Sequence, residues 1–284
     1  MNAMYTHHPL RLAHRQRGFT LVELMVTVGI ALFLLWGLTT VVQNVRKANL
    51  NQQGLSQLQD EERFALSIIT DVVQSGGYLP DATAYTPALS LPVCPPGCLG
   101  STFEAGQAFF GTHQLAAPGD TLSVRYRTGL TSTGVNDGVI LCDGSINTAQ
   151  LPSYPYTNNF SVVAQAPGGV GGLYCQVDNG GPAAGAPGVL LVPGVTSMTV
   201  YYGVKRDFTF NDYNVDTYLT ADQMCSPILN PCGTDDWSNI SAVRVILTFT
   251  NPLFDASVPV SPGNQQTITF ERVIEVMARG GVHT

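Results

Sequence analysis

Near the N-terminus, the stretch from Phe19 to Val42 constrains this 284-residue chain more than any other. Within it only Thr20, Glu23, Thr27, Thr39 and Thr40 depart from apolar residues and glycine. As a helix rising about 1.5 Å per residue, it is long enough to cross a hydrocarbon core of about 30 Å. One carboxylate, Glu23, interrupts the run. A charge at that depth costs at least about 2.5 kcal/mol on insertion scales, so Glu23 calls for a cationic partner. A cut between Gly18 and Phe19 would supply one, a new α-amino group on Phe19. If the helix begins at Phe19, that amine and Glu23 share one helical face four residues apart. In a bundle of identical helices, Glu23 of a neighbour serves equally well. An ordinary secretory signal places a small-residue cleavage site after its apolar region. Here Gln43, Asn44, Arg46 and Lys47 follow instead.

Arg17-Gly18-Phe19-Thr20-Leu21-Val22-Glu23-Leu24, with a basic leader before it and an apolar helix after it, resembles the class III signal of type IV prepilins and type II secretion pseudopilins. The resemblance implies that a prepilin peptidase cuts after Gly18 and methylates the amine of Phe19. It also implies that Glu23 guides the subunit into a helical filament. Residues 1 to 18 are then a processing leader, outside the fold. Residues 19–42 form the transmembrane or filament-core helix, and residues 43–77 its amphipathic continuation. A β-rich extracytoplasmic domain with disulfides takes residues 78–284.

The formal net charge is −7, and the leader holds three of the thirteen Lys+Arg (Arg11, Arg15, Arg17) and no acid. The rest of the chain carries ten basic residues against twenty acidic ones, a formal −10. That balance argues against a broad nucleic-acid surface, which needs clustered cations. Charged residues make up 12% of the chain, while it holds 29 Gly and 18 Pro, a composition that suits a loop-rich β domain rather than a helical bundle. The leader arginines favour the cytoplasm, so residues after Val42 are expected outside it.

All six cysteines, Cys94, Cys98, Cys142, Cys175, Cys225 and Cys232, fall on that side, where an even count reads as disulfides. Six cysteines allow about 15 pairings. We expect three sequence-local ones: Cys94 with Cys98, Cys142 with Cys175, and Cys225 with Cys232. Zinc is disfavoured, because the histidines outside the leader, His113 and His283, do not stand at ligand spacing from a cysteine pair.

Leu55, Leu58, Glu62, Ala65, Ile69 and Val72 recur at steps of three and four, which predicts that the helix continues with one stripe on a sheet. Ser75-Gly76-Gly77 is its expected stop, and Gly54 an expected weak point or kink. Tyr78 to Ala117 reads as loop. Thr121 to Arg127 alternates with period two, as a half-buried strand does. Val139 to Leu141, Phe160 to Val163 and Gly172 to Val177 are shorter strand candidates. Pro167 to Gly188 reads as an exposed loop, apart from that last candidate, within one continuing sheet. Val189 to Val192 and Val195 to Val204 are strands flanking a Pro193-Gly194 turn, and Val243 to Thr250 and Gln266 to Val276 close the series. One helix packed on antiparallel strands is an α+β class.

Pro193-Gly-Val-Thr-Ser-Met-Thr-Val-Tyr-Tyr-Gly-Val204, the segment Asp216-Thr-Tyr-Leu-Thr-Ala221, and Trp237-Ser-Asn-Ile-Ser-Ala-Val-Arg-Val245 resemble the PilW group of minor pilins. This implies a pilin-like fold and a minor pilin subunit that helps initiate or cap a type IV pilus, in support of twitching motility, adhesion or DNA uptake. Its implied partners are the prepilin peptidase, other major and minor pilins through the N-terminal helix, the inner-membrane assembly platform and the membrane itself. The implied course is from a single-pass inner-membrane precursor to the pilus and cell surface. Alternatives are a minor pseudopilin of a type II secretion system and a membrane-anchored binding domain.

Asp212, Asn214 and Asp216 space oxygen ligands like the start of a calcium loop. Thr217 stands where the turn glycine belongs and Gln223 at the twelfth position, so a solvated hairpin loop is the preferred reading and calcium the alternative. No nucleophile elbow, HExxH or phosphate loop occurs, and an enzyme is not expected. Tyr154, Tyr156, Tyr201 and Tyr202 read as half-buried packing residues rather than a ligand surface. Thr39 and Thr40 are expected to bond backbone carbonyls within the helix.

Overall fold

A computed structural model describes residues 18–78, 91–92, 103–129, 136–147, 155–164, 171–178, 188–204, 214–224 and 237–277. One helix, α1 (Leu21–Gln74), comes first. Nine described strands follow: β1 (Phe109–Thr112), β2 (Thr121–Tyr126), β3 (Tyr156–Val163), β4 (Gly172–Asp178), β5 (Val189–Pro193), β6 (Val195–Val204), β7 (Thr217–Leu219), β8 (Ile240–Thr250) and β9 (Thr267–Glu275). They form two antiparallel sheets, in the orders β1-β2-β3-β4-β5 and β7-β6-β8-β9. The class is therefore α+β, with two sheets where one was expected.

The chain divides into two compact units, Met1–Gln53 and Gly54–Thr284. In the first, α1 is exposed on every side. In the second, the rest of α1 and both sheets share one core. The helical stripe there is broader than the sequence spacing suggests. Leu58, Ala65, Ile69 and Val72 are buried as expected, but Leu66 and Val73 join them, while Leu55 and Glu62 are half-buried. Helix α1 ends at the predicted glycines, with Gly77 in the left-handed region at φ 77°. Gly54 does not interrupt the assigned helix. A Cβ there would lie 3.0 Å from the Pro252 Cβ, so this glycine marks a close approach rather than a break.

The sequence reading places no strand between Tyr78 and Ala117, yet β1 lies there, pairing with β2 from Phe109↔Val124 to Thr112↔Thr121. A four-residue strand is too short to display a period. The β2 strand is not half-buried either, for Ser123 and Arg125 on its polar face are buried as well. Chain distant in sequence covers that face. The Arg125 guanidinium donates from Nη2 to Pro92 O at 2.8 Å and lies 4.6 Å above the Phe103 ring. Burial holds this guanidinium down to about 10.

The expected strand at Val139 to Leu141 is absent. Ile140 makes one isolated bridge to Ile146 around a turn in which Gly144 has φ 81°. The next residue after that stretch, Cys142, is bonded to Cys175 of β4 with 6.0 Å between Cα atoms. The N–H of Cys142 donates to Asn158 Oδ1 of β3 at 2.8 Å, so this segment is held by sheet side chains rather than by a ladder.

The Pro193-Gly194 turn changes sheets. Its two strands do not pair with each other: β5 pairs with β4, and β6 with β7 and β8. Gly194, at φ 77°, donates to Gly171 O in the first sheet's loop at 3.2 Å and accepts from Thr250 N at 3.0 Å at the end of β8. A second tie is Asp120. Its Oδ1 accepts from His113 Nδ1 and Gln114 N, both at 2.9 Å, and its Oδ2 from Val200 N of β6 at 2.8 Å. One buried carboxylate thereby joins the β1–β2 corner to the other sheet.

Candidate functional site

Thr20 starts α1. Its Oγ1 accepts from the Glu23 N–H at 3.3 Å and its carbonyl from Leu24 N at 3.2 Å. Thr20-Leu-Val-Glu23 thus has the spacing of a capping box, a local role for both residues that the sequence reading missed although the spacing was visible. A carboxylate in the first turn also meets the positive end of the helix dipole, worth about 0.3–1 kcal/mol at an exposed site. Phe19 precedes the helix, 79% exposed. The helix therefore begins two residues after Phe19 rather than at it.

From Leu21 to Leu50 the apolar side chains of α1 are exposed, Phe33 by 70% and Trp36 by 71%. The hydroxyls among them are satisfied internally. Thr27 Oγ1 donates to Leu24 O at 2.9 Å, Thr39 to Leu35 O at 2.5 Å and Thr40 to Trp36 O at 3.0 Å. Such a surface tolerates hydrocarbon or another apolar helix, since the hydroxyls of Thr27, Thr39 and Thr40 are bonded to helix carbonyls. By length and composition this helix can cross a membrane.

Of the other predicted sites, Cys142 and Cys175 meet as a disulfide, both buried. Cys94, Cys98, Cys225 and Cys232 lie outside the described residues, as do Asp212 and Tyr154. Asn214 and Asp216 run into β7, the short strand that pairs Thr217–Leu219 with the end of β6. Among the described residues, no three His, Cys, Asp or Glu side chains gather where they could hold a metal. His113 serves the Asp120 tie.

The tyrosines differ from one another. Tyr156 and Tyr201 are half-buried, whereas Tyr202 is wholly buried, against Trp237 at 4.9 Å between ring centroids. Its hydroxyl nestles on Gly111, where a Cβ would collide with it. Burial and the nearby Asp120 carboxylate push the Tyr202 phenol up, and burial dominates a similar rise at Tyr126. On the outer face of the second sheet, the Arg244 guanidinium pairs with Glu271 at 2.7 Å and lies 5.4 Å over Tyr201. A groove of about 520 Å³ opens among the end of α1, Tyr78, Gly138 to Ile140, and Met277.

Two family models match. "Prokaryotic N-terminal methylation motif" covers residues 13–39, and "Type IV Pilus-assembly protein W" covers residues 160–273, from the middle of β3 through most of β9. A solved type IV-like pilin from Thermus thermophilus is 12% identical over 77% of this chain and 96% of its own length, with a TM-score of 0.38. No curated protein matches. The methylation motif thus falls on the exposed start of α1 and the pilus-assembly W match on the strands from β3 to β9, so in both parts this chain is similar to PilW-like type IV pilins.

Proposed function

We propose that this chain is a minor pilin, made as a single-pass inner-membrane precursor and matured by a prepilin peptidase that cuts between Gly18 and Phe19 and methylates the new amine. The observation that carries the proposal is the methylation-motif match over residues 13–39, which runs into the part of α1 whose apolar side chains are exposed. The globular unit then lies in the periplasm and afterwards on the pilus.

Glu23 is the assembly residue in this reading. Because Thr20 caps the helix after Phe19, the new amine belongs to the segment ahead of α1, which favours its pairing with Glu23 of a neighbouring chain over its own. Formation of that pair removes the cost of a lone carboxylate among apolar helices, so assembly and charge neutralisation are one event. An assembly platform in the inner membrane extracts the subunit into the filament, where it acts at initiation or at the tip.

Mass spectrometry of sheared surface filaments and of the remaining membranes tests this. A peptide that begins with N-methylated Phe19 is expected in the filaments. Its presence in membranes alone would assign the subunit to the base or to a secretion pseudopilus, and uncut protein throughout would overturn the proposal.

A further inference from the structure

The groove of about 520 Å³ at the end of α1 has an apolar wall and an acidic rim, all of it within the second unit. Tyr78, Val139, Ile140 and Met277 form the wall, with Ile140 56% and Met277 61% exposed. The side next to Ile140 is fixed, because Cys142 is bonded to Cys175 and donates from its N–H to Asn158 Oδ1 at 2.8 Å. A fixed wall of this kind leaves apolar surface in water, and a segment laid over it would remove that surface from water.

Asp71 stands on the rim, in the last turn of α1. A carboxylate there faces the negative end of the helix dipole, and no basic residue shares the turn. Among the described residues the Asp71 carboxylate has no hydrogen bond or ion pair. Arg272 of β9 donates from Nη1 to Thr70 Oγ1 at 3.3 Å instead. Asp137 lies nearby, its oxygens accepting from Thr128 Oγ1 at 2.6 Å, Gly129 N at 3.1 Å and Val139 N at 3.2 Å. Burial and then this carboxylate push the Tyr78 phenol up. The groove therefore suits a segment that brings a cation together with an apolar side chain.

The sequence after Met277 has that composition. Residues 278–284, which lie outside the described residues, read Ala-Arg-Gly-Gly-Val-His-Thr, with Arg279 and no acid. They follow directly on a residue that lines the groove. Two extended residues cover about 7 Å, to which the arginine side chain adds its own length, so Arg279 can reach from Met277 to the acidic rim.

We propose that this groove receives residues 278–284 of the same chain, with Arg279 paired to Asp71 and Val282 laid on Tyr78 and Ile140. Seated there, the segment joins the end of α1, the disulfide-held 138–142 segment and the end of β9. The inference does not depend on the filament reading above.

A photo-reactive residue at Val282 of the detergent-solubilised full chain tests this, with the adducts mapped by mass spectrometry. The expected adduct forms within one chain, to residues 74–78 or 138–140. Asp71→Arg is expected to cut its yield severalfold, and Arg279→Asp in the same chain to restore it. Should Asp71→Arg fail to fold, the neutral Asp71→Asn carries the same comparison. A yield indifferent to the charge at residue 71, or one that the double variant does not restore, would overturn the proposal. Adducts only to a second copy, to another protein or to detergent would overturn it as well, by giving the groove another occupant or none.

Discussion

Gly18, Phe19 and Glu23 are assigned in the proposed reading from the sequence alone, because the roles proposed for them depend on chemical identity at fixed offsets. A Cβ at Gly18 would meet nothing within 4 Å among the described residues, so the fold itself gives no reason for glycine there. In the proposed reading the requirement is external, a peptidase subsite. We expect Gly18→Arg to leave the full-length precursor in membranes, checked by its gel mobility and N-terminal sequencing. Glu23→Val should instead be cut normally and accumulate in the membrane while filament incorporation falls at least about tenfold, the effect of roughly 1.4 kcal/mol. Quantitative blotting of sheared filaments measures that difference. Neither the Asp120 tie nor the buried Tyr202 was legible, since their partners lie far away in sequence. Tyr126 and Tyr202 have a pH consequence. Their folded pKa values are raised, so stability is unaffected by them below about 10, where an unfolded phenol titrates, and falls above it by about 1.4 kcal/mol per pH unit for each phenol. Alkaline titration of the globular unit should show tyrosinate absorbance from these two phenols appearing together with loss of the native circular dichroism.

At the scale of elements, the long regular ones were read well and the short or tertiary ones poorly. The α1 stop at Gly76-Gly77 and the strands β6, β8 and β9 followed from local pattern. The β1 and β7 strands, four and three residues long, did not, because a strand of that length exists only through its neighbour. The Val139 to Leu141 segment is the opposite case. Its apolar sequence suggests a strand, but the Cys142–Cys175 bond and the amide of Asn158 hold it against the sheet instead. That disulfide closes a separation of 33 residues, for which the chain-entropy model gives roughly 3–4 kcal/mol. Urea unfolding of a Cys142→Ser, Cys175→Ser double variant should show a loss of that order. A midpoint unchanged from the parent would mean that the segment is held by its hydrogen bonds alone.

At the scale of the whole molecule, the second unit carries its own core. Helix residues Leu58 to Val73 and both sheets contribute to one cluster, and all of them follow Gly54. Residues 54–284, expressed in an oxidising compartment without the apolar helix, should therefore fold as a soluble protein. Its cooperative thermal transition should come within a few degrees of that of the detergent-solubilised full chain. A broad or absent transition by calorimetry would show that the first unit is needed for folding.

By itself, the sequence determined that an apolar helix with one carboxylate follows a basic leader, that the helix goes on with an apolar stripe, and that strands follow. These are properties of composition and period, which a chain carries without reference to its fold. Only the tertiary structure decided that the strands divide into two sheets at Gly194, that Asp120 and the 142–175 bond tie distant segments, and that Pro252 after β8 lies against Gly54. The reason is physical. Those features are made by pairs of groups tens of residues apart, and no local pattern encodes which distant partner will satisfy a buried carboxylate or a free strand edge.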